Sequence, residues 1–133
     1  AVRALAPHTK IYTVEPEGFD DTAKSLIAGH RVSALSGARS FCDALLSPLP
    51  GEQTFAINHK LLQSGLTVSD AEVAKAVKAA FFHLKLVAEP GGAVALAAAL
   101  SKKLDLKGKT ALVICSGGNV DGDVFAQILG TAN

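Results

Sequence analysis

Apolar residues at Val73, Val77, Ala80, Phe81 and Leu84 recur at spacings of three and four, which predicts one buried face of an α-helix. Just ahead of them Ser69 and Glu72 match the capping-box spacing, so this helix is expected to begin there and to run to about Val87. After Glu89-Pro90-Gly91-Gly92 the pattern changes. The run Ala93 to Leu100 is apolar on every side, as in a helix packed inside a larger body, and Lys102 and Lys103 follow where positive charge suits a helix C-terminus. Two short β-prone runs, Ile11 to Val14 and Leu66 to Val68, read as strands. Thr110 to Ile114 is a continuous apolar run, the signature of a buried parallel strand.

The intervening residues supply the stops. Ala1 to Ala6 reads as the tail of a helix ended by Pro7, and since the first residue is not Met the expectation is a chain cut from something longer. Pro16 and Gly18 make a tight bend, Asp20 or Asp21 is placed to cap a helix from Thr22 to Ala28, and Gly29 ends it. From His30 to Pro50 breakers and small polar residues predict a long loop around a short helix near Ser40 to Leu46, and loops of that length are uncommon without a function. Phe55, Ile57, Leu61 and Leu62 suit a helix ending before Gly65, and Asp121 to Leu129 a closing one. The class is α/β, a parallel sheet flanked by helices. Three short strands are few for such a sheet, so the rest of the body is expected to come from elsewhere.

Composition narrows the partners. With 133 residues and 49% hydrophobic content the chain is one domain in size and rich enough for a core. A net charge of +1 with scattered Lys and Arg argues against nucleic acid and against an anionic membrane surface. Cys42 and Cys115 have no CxxC spacing, and His8, His30, His59 and His83 form no zinc pattern. Both cysteines read as buried small hydrophobes, the histidines as surface or supporting groups and not catalytic ones, and Lys75, Lys78 and Lys85 as the solvated side of the long helix. A reduced, cytoplasmic compartment is expected, with no membrane segment.

Candidate chemistry lies at two strand ends. Cys115-Ser116-Gly117-Gly118-Asn119 follows the last apolar run, where α/β sheets bind ligands and where Gly117 lets backbone approach one closely. The same sequence also suits an ordinary turn, which Asn119 would hold unless it caps the last helix. The Ser116 hydroxyl donates or accepts one hydrogen bond, which suits a ring nitrogen better than a phosphate. Glu89 precedes a helix N-terminus, whose dipole alone would stabilise its carboxylate. At the other strand end Glu15 and Asp21 converge across the Pro16 to Gly18 bend, and with a carbonyl near Phe19 they form a donor set for Mg²⁺ or Ca²⁺; the alternative is that Asp20 and Asp21 only cap a helix.

These residues together resemble the serine/threonine dehydratases and serine racemases, pyridoxal-phosphate enzymes of fold type II. The matching segments are Tyr-Thr-Val-Glu-Pro-Glu-Gly-Phe-Asp-Asp (12 to 21), Pro-Gly-Glu-Gln-Thr-Phe (50 to 55), Thr-Val-Ser-Asp-Ala-Glu (67 to 72), Glu-Pro-Gly-Gly-Ala (89 to 93) and Ser-Gly-Gly-Asn-Val-Asp (116 to 121), in family order along nearly the whole chain. The resemblance implies that Ser116 bonds the pyridine nitrogen of the cofactor, that Glu89 and Gly117 lie at its ring, and that Glu15, the Phe19 carbonyl and Asp21 match the divalent-cation site of part of the family. It also implies that residues 1 to 133 are the C-terminal part of the large domain.

In the family the imine-forming lysine, an Asn-bearing loop for the substrate carboxylate and a Gly-rich phosphate loop come earlier than the segment matched here. No Lys in this chain stands in the family's Ser-Phe/Tyr-Lys context. The expectation is therefore that this polypeptide alone is inactive, and that the N-terminal part comes from elsewhere, a second polypeptide being one source. The regulatory domain of some biosynthetic threonine dehydratases is likewise not expected after Asn133. The complete enzyme is expected to dehydrate L-threonine, L-serine or a related 3-hydroxy amino acid to a 2-oxo acid and ammonia, as a homo-oligomer. A racemase of the same family and a noncatalytic relative that binds a partner are the alternatives, while a nucleotide-binding module is disfavoured because neither GxGxxG nor GxxxxGK[ST] occurs.

Overall fold

The computed structural model describes residues 1–130; residues 131 to 133, with the Asn133 end, lie outside the described part. The element order is α1 (Val2–Leu5), β1 (Tyr12–Pro16), α2 (Asp21–Ala28), a 3₁₀ turn (Asp43–Leu45), α3 (Glu52–Leu61), β2 (Ser64–Val68), α4 (Asp70–Ala79), a π turn (Ala80–Leu84), α5 (Pro90–Leu100) and α6 (Gly122–Gly130). Strands β1 and β2 pair in parallel, with Val14 opposite Leu66 and Pro16 opposite Val68.

Side-chain alternation along β2 explains the layering. Leu66 and Val68 belong to the core cluster shared with α4 and α5, whereas Gly65 presses its backbone against Ala23 of α2 on the opposite face. A side chain at position 65 would hold α2 away from the sheet. The core itself is Val68, Val73, Ala76, Val77, Ala80, Ala93, Ala97 and Cys42, all at most 1% exposed. Burying each of these valines is worth about 1.5–3 kcal/mol. Helix α5 is buried from Pro90 through Val94 and again at Ala97 and Ala98, as its all-round apolar sequence requires.

The capping box forms: the Ser69 hydroxyl accepts from Glu72 N and the Glu72 carboxylate accepts from Ser69 N at 2.8 Å. Glu72 also pairs with Lys103 at 2.9 Å, tying the start of α4 to the end of α5. Gly29 ends α2 in the left-handed conformation, φ 74°.

The expected helix to Val87 is shorter. Regular α-helix stops at Ala79, a π turn carries Ala80 to Leu84, and Lys85 closes it with φ 60°. The wider turn places Phe81 edge-on to Phe82 and to Phe125 of α6, at 5.2 and 5.4 Å between ring centres, and leaves Leu84 exposed. The expected strand from Thr110 to Ile114 does not form either. A strand exists by its ladder, and among the described residues none pairs with this run; Leu112 is 89% and Ile114 64% exposed. Cys115 is exposed, not buried, and Lys78 is buried, not solvated. No described helix is long and apolar enough to cross a membrane.

Candidate functional site

Glu89 stands at the N-cap of α5 in extended conformation, followed by Pro90, which suits the first helical position because its missing N–H has no partner there anyway. Its side chain does not cap its own helix. Instead Glu89 Oε2 accepts from Asn119 N at 3.1 Å, while Glu89 N donates to the Gly117 carbonyl at 3.0 Å. The turn after the last apolar run is thus held on the mouth of α5 by both the backbone and the side chain of Glu89. The bond from Asn119 runs through its backbone N–H and so does not draw on the asparagine side chain.

Three glycines make that junction possible. A Cβ on Gly117 would lie 2.6 Å from Glu89 Oε1, one on Gly92 would lie 2.7 Å from the Gly117 carbonyl oxygen, and one on Gly118 would lie 2.5 Å from the Val87 carbonyl oxygen. Gly92 and Gly118 are close-packing positions that the sequence shows only as parts of turns; the segments they meet, Gly117 and Val87, lie elsewhere in the chain. Ser116 sits at the rim, exposed, and no hydrogen bond to its hydroxyl forms among the described residues. A neutral hydroxyl facing outward next to a glycine-lined carboxylate can take a planar heteroaromatic group by its ring nitrogen.

The second expected site is built differently from the simple reading. Glu15 Oε1 accepts from Thr22 N at 2.9 Å and Oε2 from Ala23 N at 2.8 Å, so Glu15, reaching across the bend, caps α2. Asp20 occupies the N-cap position without a side-chain cap and pairs with Lys24 at 2.7 Å. The bend is closed by Phe19 N donating to Pro16 O and by Gly18, φ 86°, packed against Ala38. Asp21 is 4% exposed. Burial pushes the Glu15 carboxyl above the ordinary range, against the opposing pull of its bonds from Thr22 and Ala23, and burial likewise raises Asp21. Among the described residues no group of three or more His, Cys, Asp or Glu side chains stands together as a metal site. The Glu15, Phe19 and Asp21 set has two carboxylates and one carbonyl.

The remaining candidates are peripheral. All four histidines are exposed, His59 against the Phe55 ring and His30 beside the Ala28 carbonyl. Cys42 is fully buried, and burial pushes its thiol up to about 11.

A family model described as "Pyridoxal-phosphate dependent enzyme" matches residues 1–117, which take in Glu89, Ser116 and Gly117 and stop short of Gly118 and Asn119. The chain belongs to that family. Membership implies pyridoxal phosphate as the cofactor, and the Ser116 and Glu89 junction has the donor chemistry to meet its ring. The chain is 37% identical to the L-threo-3-hydroxyaspartate ammonia-lyase of Saccharomyces cerevisiae, over 97% of its own length and 39% of that protein. It is 36% identical to the serine racemase of Schizosaccharomyces pombe, over 97% of its length and 40% of the relative. Among solved structures, the processed form of threonine deaminase isoform 2 from Solanum lycopersicum matches with a TM-score of 0.85 and 33% identity, over 96% of this chain and 35% of that one. The chain thus spans between 35% and 40% of these three proteins, and its α/β architecture is part of the fold type II large domain.

Proposed function

We propose that the complete protein is a pyridoxal-phosphate-dependent ammonia-lyase that converts L-threonine, L-serine or a related 3-hydroxy amino acid to a 2-oxo acid and ammonia. The observation that carries this reading is the Glu89 and Gly117 junction, which fastens the turn bearing the exposed Ser116 to the start of α5. Bound pyridoxal phosphate supplies an electron sink for the bonds at the amino acid's α-carbon. The chain's own residues set how strong that sink is. A serine hydroxyl at the ring nitrogen is neutral, so it orients the ring without fixing a positive charge on it, and this favours prompt loss of the β-hydroxyl over a long-lived carbanion. Glu89, held by Asn119, would offer a carboxylate near the ring and keeps the Ser116 turn fixed on α5. Loss of the α-proton and the β-hydroxyl, followed by addition of one water, gives the 2-oxo acid and ammonia.

Within these 133 residues no lysine has the context that forms the imine, so the polypeptide of residues 1 to 133 is proposed to be inactive by itself. The N-terminal part of the domain, as preceding chain or as a second polypeptide, would cover Leu112 and Ile114 and bring that lysine. The complete enzyme is proposed to act as a homo-oligomer in the cytoplasm. Glu15, the Phe19 carbonyl and Asp21 would hold Mg²⁺ or Ca²⁺, a reading supported by the buried Asp21 carboxyl and by second lone pairs remaining on the Glu15 oxygens.

The similarity to a serine racemase supports racemisation as a second reading. Incubating the complete protein with L-serine and L-threonine, and assaying 2-oxo acid against D-serine, separates the two. Predominant 2-oxo acid is expected; predominant D-serine would replace the lyase reading, and neither product with cofactor bound would favour a noncatalytic relative.

A further inference from the structure

The long loop from His30 to Pro50 is not absorbed by the proposed chemistry; its first half is anchored by Val32 N to Ser25 Oγ, Leu35 N to Gly18 O and the Arg31 and Glu52 pair, and its middle is tied to a carboxylate. Asp70, the first residue of α4, accepts from Ser40 Oγ at 2.6 Å through Oδ1 and from Phe41 N at 3.2 Å through Oδ2. Ser40 Oγ in turn accepts from Cys42 N at 3.1 Å. The two bonds to the carboxylate are stronger than neutral ones, and with the Cys42 bond they fix Ser40, Phe41 and Cys42 to the start of α4. From there Cys42 enters the core with no exposed surface, and its carbonyl accepts from Leu45 N at 2.9 Å to start the 3₁₀ turn.

That turn lands on the mouth of α5. A Cβ on Gly91 would lie 3.3 Å from the Ala44 Cβ and 3.5 Å from the Leu45 Cγ. The next residue, Gly92, meets Gly117, and the residue two before Gly91 is Glu89. The first turn of α5 is therefore gripped between the Ala44 and Leu45 turn and the Ser116 to Asn119 turn.

We propose that Asp70 is a positioning residue for the cofactor junction: by clamping Ser40 and Phe41 it seats the Cys42 to Leu45 turn on α5 and so sets where Glu89 and the Gly117 turn stand. The functional part of this inference rests on the pyridoxal-phosphate reading above. The geometric part does not, because nothing in the chain of contacts from Asp70 to Gly117 involves the cofactor.

The test compares Asp70→Ala and Asp70→Asn with Ser69→Ala in the complete protein. Ser69→Ala weakens the same helix start through the capping box while leaving the Asp70 carboxylate in place. Amide hydrogen exchange is followed in peptides covering 41–45, 88–92 and 117–119, and pyridoxal-phosphate affinity by equilibrium dialysis. Asp70→Ala is expected to speed exchange in all three peptides and to weaken cofactor binding by about tenfold, the scale of one lost charged hydrogen bond. Asp70→Asn, which keeps one acceptor oxygen, should fall between, and Ser69→Ala should lower the melting temperature while leaving 88–92 and 117–119 unchanged. Faster exchange confined to 41–45, or the same pattern in Ser69→Ala, would overturn the proposal. If the wild type binds no pyridoxal phosphate but the exchange pattern appears, the positioning stands and the functional reading falls.

Discussion

The region around β1, β2, α2 and α4 and the stretch from Leu104 to Val120 carry equally apolar runs, yet only the first becomes regular structure. Val68 and Leu66 find a strand beside them and two helices over their face; Leu112 and Ile114 find neither. A hydrophobic run encodes a strand only where a ladder partner and a cover are supplied, and for residues 110–114 they are not among the described residues. Within this second region the Gly117 to Asn119 turn is fastened to α5, and polar groups of Glu89 hold it there.

The sharpest way to break the comparison is to place a polar group in each region. Val77→Asp should destabilise the chain by about 3–5 kcal/mol, the scale for an unpaired buried charge, and Leu112→Ser should stay within about 0.5 kcal/mol. Urea melts of the 133-residue polypeptide measure both; equal losses would mean that the second region carries a core of its own.

Gly117→Ala comes next. Its Cβ would meet Glu89 Oε1 at 2.6 Å and must displace the carboxylate from Asn119, for a loss of about 1–3 kcal/mol. Pyridoxal-phosphate retention by the complete protein should fall with it, read by dialysis; unchanged retention would detach Glu89 from the cofactor.

A smaller effect is expected at the cation site. At ten times its dissociation constant, Mg²⁺ or Ca²⁺ should stabilise the fold by about 1.4 kcal/mol, and Asp21→Asn should abolish that gain. A melting temperature indifferent to both cations would leave Glu15 as a helix cap alone.

The smallest effect is the acid response of the capping box. Burial opposes ionisation of Glu72, but hydrogen bonds from Lys103 and Ser69 outweigh it and hold the carboxyl below its ordinary 4.5. A depressed folded value gives stability that is present above pH 4.5 and lost as pH falls through the lower folded value. Glu15 and Asp21, raised by burial, act in the opposite sense and lose stability as pH rises through their ordinary values. The wild type minus Glu72→Gln difference isolates the first contribution, and a difference that does not shrink on acidification would contradict it.

Local signals were legible where one stretch of chain contains both partners. The Ser69 and Glu72 box, the Gly29 stop and the apolar spacing of Val73 and Val77 each form as their sequence predicts. What failed to show were effects shared between distant segments. Glu15 caps a helix that begins six residues later, displacing Asp20 and Asp21 from that task. The π turn brings Phe81 against Phe125, forty-four residues on, and Gly92 and Gly118 matter only because separate segments close on each other. Ser116 and Gly117 could be singled out locally as a turn after an apolar run and Glu89 as the residue before a helix, whereas the bond that joins the two segments, from Asn119 to Glu89, spans thirty residues.

The most direct test of the central claim is the visible absorption spectrum of the complete protein with pyridoxal phosphate, compared between wild type and Ser116→Asp. The account predicts a lysine-bound cofactor band in the wild type and a displaced band in the variant, since an acid at the ring nitrogen would hold a proton there. A variant band identical to the wild type would remove Ser116 from the ring nitrogen, and no band in either protein would contradict the cofactor site itself.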